Sequence, residues 1–80
     1  MNASPLSAAY RIRVQGHLGA STAARFPGMA ICFIANGQTD LTGTLADQAA
    51  LHGVLRTIRD CGLELLSVNR LEPNEAQEGA

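Results

Sequence analysis

From Tyr10 to Leu18 the chain alternates apolar and polar positions. Tyr10, Ile12, Val14 and Leu18 fall on one side, and Arg11, Arg13, Gln15 and His17 on the other. That period of two predicts a half-buried strand. Residues 19–28 (GASTAARFPG) predict a small-residue loop, and Gly28 to Ala35 a second strand. Asn36-Gly37 marks a hairpin, after which Gln38 to Leu45 returns as a Thr-rich third strand. A one-residue slip would turn every side chain of a strand to the other face. The register that keeps Met29, Ile31, Phe33, Leu41 and Leu45 together needs a three-residue loop, Ala35-Asn36-Gly37, pairing Ile31 with Leu41 and Phe33 with Thr39.

The period then changes. Asp47 is a good N-cap for a helix from Gln48 to about Asp60, with Leu51, Val54, Leu55 and Ile58 in one stripe. Gly62 suits the left-handed residue beyond the helix, and Ile58 and Leu63 occupy the positions that meet in a Schellman motif. Glu64 to Leu71 is a fourth strand, with Leu66 and Val68 favoured as its inward residues. The expected fold is α+β: a two-layer βββαβ unit with one helix on one face of a four-stranded sheet. A meander of the first three strands followed by a helical crossover gives the order 3-2-1-4, with strand 4 parallel to strand 1.

Eighty residues allow one core, burying about 60% of the unfolded surface. The expected organisation is a flexible lead-in over 1–9, one domain over 10–71 and a disordered acidic tail over 72–80. Six Arg and no Lys face seven acids, for a net charge of −1. That balance argues against a strongly basic nucleic-acid binder. The longest apolar run, Met29 to Ala35, is too short to span a membrane, and the N-terminus lacks the pattern of a signal peptide. Two cysteines make no disulfide framework, so a cytoplasmic protein with reduced thiols is expected.

The search for chemistry is mostly negative. Cys32, Cys61, His17 and His52 show no metal-ligand spacing, neither cysteine shows an activating neighbour, and the glycines match no phosphate loop. No catalytic residue, metal or cofactor is therefore expected. What remains is the sheet face that a single helix leaves open, carrying Arg11, Arg13 and His17 with a more apolar centre at Cys32 and Ile34. Leu65, Ser67 and Asn69 are placed on this face with them. On the helix, Gly53 forms a small-residue ridge with Ala49 and Thr57, beside a polar flank containing His52. Close packing of the helix on its own sheet is the favoured reason for Gly53.

Several stretches together resemble a family of short, functionally uncharacterised bacterial proteins. They are Arg13-Val-Gln-Gly-His-Leu18, Leu41-Thr-Gly43, Ala46-Asp-Gln-Ala-Ala-Leu-His-Gly-Val-Leu55, and Arg59-Asp-Cys-Gly-Leu63 through Ser67-Val68. The VxGHL strand and the DQAALHG helix start are the most specific. Relatives often carry a Trp-Phe pair in the loop after the first strand and alternating Thr and Glu on the second. This chain has Ala24-Arg25-Phe26 and, on the second strand, Ala30 and Cys32. The resemblance implies a small stand-alone cytoplasmic protein and brings no activity with it.

Three readings of function follow. The leading one is a non-enzymatic protein-interaction or self-association module, with a homodimer or an unknown protein as partner. The second is a small-molecule binder or minor enzyme using the 19–28 loop, with His17 and Arg25 nearby. The third is a weak RNA binder acting through Arg11 and Arg13, disfavoured because the open face offers no aromatic side chain on which bases could stack.

Overall fold

A computed structural model describes residues 8–71 of the chain. Residues 1–7 of the lead-in expected over 1–9 and the expected acidic tail at 72–80 lie outside the described residues, while Ala8 and Ala9 belong to the first strand. The elements are β1 (Ala8–Gln15), a one-turn helix α1 (Ala20–Ala23), β2 (Ala30–Ile34), β3 (Gln38–Leu45), α2 (Gln48–Asp60) and β4 (Glu64–Leu71). The four strands form one sheet in the order β2-β3-β1-β4, with every neighbouring pair antiparallel. The class is α+β as expected, with α2 as its main helix.

Two details of the expected topology differ, and both trace to one placement. The order is 2-3-1-4, not 3-2-1-4, and β4 runs antiparallel to β1 rather than parallel. The 16–29 connection exceeds the roughly twelve residues that a crossover between parallel strands needs. It carries the chain past β1's neighbour position, so β2 becomes the outer edge and runs parallel to β1. The tight hairpin then lays β3 into the gap between them. The α2 crossover returns β4 parallel to β3, and β3 opposes β1.

Each crossover therefore straddles a strand of the other, which is the split βαβ or ferredoxin-like arrangement. Its first helix is cut to a single turn, and other side chains of the 16–29 segment take over the covering role. Leu18 is 7% exposed and Phe26 only 3%, so both belong to the core. With them pack Tyr10, Ile12 and Val14 of β1, Leu41 and Leu45 of β3, and Leu51 and Ile58 of α2.

The local structure follows the sequence closely. In the hairpin Ile31 opposes Leu41 and Phe33 opposes Thr39, across a loop of Ala35–Gly37. Asn36 and Gly37 both take positive φ, +67° and +73°, a region that these two residue types tolerate best. Asp47 caps α2 by accepting a hydrogen bond from the Ala50 N–H at 2.8 Å. At the other end Leu63 N–H donates to Ile58 C=O and Gly62 N–H to Arg59 C=O, while Gly62 has φ of +75°. Those are the two bonds of a Schellman motif.

Phe33 is the exception to the expected apolar set. It shares the Ile31 side of β2 yet stays 55% exposed, because it lies at the far end of the edge strand. Gly53 is also corrected. A Cβ built there meets nothing within 4 Å, so α2 does not approach the sheet closely at this point. Gly53→Ala is therefore expected to stabilise the protein by about 0.5–1 kcal/mol, through helix propensity with no steric cost. A rise in the urea midpoint at constant m-value checks it.

Candidate interaction surface

On the side of the sheet away from α2, β1 and β3 place Arg13 directly opposite Asp40. The guanidinium donates twice, Nε to Oδ1 at 2.7 Å and Nη2 to Oδ2 at 3.1 Å. This bidentate geometry is the strong form of an arginine–carboxylate contact. The Asp40 side chain is nearly buried while that of Arg13 stays 40% exposed. The hydrogen bonds from Arg13 hold the Asp40 carboxyl below its ordinary value, against an opposing push from burial, with the positive charges of Arg13 and Arg11 adding to the fall.

Because its pKa is depressed in the folded state, Asp40 contributes stability above the ordinary carboxylate value of 3.8. That contribution is lost as pH falls through the lower, folded value. Urea melts of wild type and Asp40→Asn between pH 2 and 7 should therefore differ most near neutrality and converge below about pH 4. A difference that persists unchanged at pH 2 would assign the effect to packing instead.

Around this pair the face is built in rows. Cys32, Asp40, Arg13 and Ser67 oppose one another across the four strands, and Ala30, Thr42, Arg11 and Asn69 form the next row. Arg11 and Cys32 are exposed and Ile34 is half-buried, so four of the expected site residues do share one face. His17 does not join them. The strand ends at Gln15, and the His17 ring lies against Phe33 with centroids 4.9 Å apart. His52 lies on α2, where it lines an open groove of about 300 Å³ with Leu55, Arg56 and Arg59. Gly53 sits on the same helix, half-buried, with open space above it.

Some contacts had no sequence signal. Asp40 meets Arg13 only because β3, not β2, neighbours β1. Arg25 Nη1 reaches Cys61 Sγ at 3.4 Å, which brings a cation beside a thiol that the sequence left without a neighbour. On β4 a bulge intervenes: Arg13 pairs with Ser67 but Val14 pairs with Leu65, leaving Leu66 as the extra residue. This shift sets Leu65 opposite Val14, a core position, rather than on the open face expected for it. Val68 opposes the core residue Ile12, as favoured, while Ser67 and Asn69 oppose the open-face residues Arg13 and Arg11.

The bulge gives β4 an unusual edge. Leu65, Leu66 and Val68 are 44%, 39% and 37% exposed, and with Phe33 they are the large apolar side chains left in water among the described residues. Nothing among the described residues pairs with the outer edge of β4. No described group of three or more His, Cys, Asp or Glu is placed to share a metal ion, and no described helix is long and apolar enough to cross a membrane.

Fold and surface together define a small α+β domain of split βαβ topology with a sheet face left uncovered among the described residues and an apolar sheet edge. Residues 9–69 match the model of a family described as a domain of unknown function (DUF8691). The chain belongs to that family. No curated protein and no solved structure shows a significant match to it.

Proposed function

We propose that this domain is a small, non-enzymatic protein-interaction module that works as a homodimer. The observation that carries the reading is the apolar strip Leu65, Leu66 and Val68 on an edge strand whose outer side pairs with nothing among the described residues. Side chains of this kind and an open ladder of backbone donors and acceptors are what associating strands use. A cytoplasmic setting suits the two free thiols, Cys32 and Cys61.

The geometry favours this over the other two readings. Leu18 and Phe26 pin the 16–29 segment into the core, which makes it a plug rather than a lid over a ligand. For RNA, the open face carries no aromatic among the described residues, and Asp40 already satisfies Arg13. Sedimentation of the full chain from 10 µM to 1 mM tests the proposal. A mass shifting toward twice 8.4 kDa supports it, and a monomer throughout that range overturns it.

A further inference from the structure

One flank of α2 is cationic, and the acidic end of the chain starts within reach of it. We infer that residues 72–80 lie back along this flank, with Glu75 and Glu78 set against His52, Arg56 and Arg59.

The charges of the chain are divided between two segments. All six arginines lie within residues 8–71, which carry only four acids, Asp40, Asp47, Asp60 and Glu64. Residues 72–80 hold the other three, Glu72, Glu75 and Glu78, and no base. The net charge of −1 is therefore a body of +2 followed by a segment of −3. On the body, Asp40 already takes Arg13 in a bidentate pair. His52, Arg56 and Arg59 instead line an open groove of about 300 Å³ with Leu55, on a helix that has no acid before Asp60. Among the described residues the one ion pair at this groove joins Arg59 Nε to Asp60 Oδ1 at 3.4 Å, with both side chains exposed. Such a pair is weak in water and leaves the other cations of the groove to a further acid.

Topology puts the start of the acidic segment on the same side. Residues advance about 100° each round a helix, so His52, Leu55, Arg56 and Arg59 share one flank and Cys61 falls on the other. Arg25 of the 16–29 segment reaches Cys61, so the groove flank faces the opposite way, toward β4. A right-handed crossover from β3 through α2 to β4 requires the same placement. Because α2 and β4 run antiparallel, β4 ends level with the first turn of the helix. Arg70 pairs with Tyr10 there, and the Tyr10 hydroxyl accepts a hydrogen bond from Gln48 Nε2 at 3.2 Å. From Gln48 to Arg59 is about 17 Å along the helix, and nine residues span up to about 30 Å. Pro73 and Asn74, residue types favoured in turns, directly precede Glu75. The covalent link supplies an effective concentration of about millimolar, so contacts that are individually weak suffice.

Paramagnetic broadening in the full chain tests the placement. In a Cys32→Ser, Cys61→Ser background, a nitroxide is attached through Gln77→Cys. At 0.1 M salt the amide signals of residues 52–59 should be weakened at least twofold more than those of the hairpin at 35–37, at the opposite end of the sheet from Leu71. Arg56→Glu with Arg59→Glu should restore the 52–59 signals at least twofold, and adding Glu75→Arg with Glu78→Arg should weaken them again. Raising the salt to 1 M shortens the screening length from about 10 Å to about 3 Å, and should restore the signals with no change to the helix. Signals of 52–59 that are not weakened, or whose weakening neither charge reversal nor salt relieves, overturn the inference. A mixture of nitroxide-bearing protein with ¹⁵N-labelled protein lacking the nitroxide separates reach within one chain from reach into a second copy. Equal weakening in that mixture assigns the contact to a second copy, which overturns docking within the chain and supports the homodimer reading. A monomer by sedimentation with weakening confined to the singly labelled chain does the reverse.

Discussion

Phe26→Ala is expected to cost about 3–5 kcal/mol, the range for emptying a buried aromatic site. Phe26 is 3% exposed and sits where a full first helix would cover the sheet in this topology. With α1 reduced to one turn, this ring and Leu18 close the core over β3 and β1. A domain of this size holds only about 3–10 kcal/mol in total, so the variant should be largely unfolded near physiological temperature. Phe33→Ala is the matching control. Its ring is 55% exposed, so the same truncation should cost no more than about 1 kcal/mol. Thermal unfolding followed by circular dichroism separates the two, and equal losses would mean that Phe26 is not the plug of the core.

Ile12→Ala should cost about 2–5 kcal/mol, and Ile12→Val only about 0.5–1.5. Ile12 is fully buried on a central strand, with Leu41 opposite it on one side and Val68 on the other. Its side chain is 0% exposed, so no solvent reaches it to fill the cavity. Val68→Ala removes apolar atoms from the same row, but at an edge where the side chain is 37% exposed. In the monomer it should cost clearly less than Ile12→Ala. Urea titrations at low concentration measure all three, and an Ile12→Ala loss under 1 kcal/mol would contradict the packing described for the central strands.

Most local structure was legible because it rests on contacts between residues close in sequence. The Asp47 cap, the Ile58 and Leu63 closure of α2 and the three-residue hairpin all involve groups within about ten positions of one another. Their side-chain chemistry permits few alternatives. The open face was legible for the same reason, since strict alternation along β1 already separates Arg11 and Arg13 from Ile12 and Val14. The face's central feature was not legible. Arg13 and Asp40 stand 27 positions apart, and their meeting depends on which strand enters beside β1.

The sequence by itself determined where strands and helix lie, how β2 and β3 register, and which residues of β1 point away from the core. Periodicity, capping and turn chemistry act over short range and suffice for that. The tertiary structure decided that the 16–29 segment is a crossover with β2 on the outside, that β4 opposes β1, and that a bulge turns Leu65 out of the open face. These outcomes depend on how the whole sheet buries its apolar side at least cost, a sum over contacts distant in sequence that no single stretch encodes.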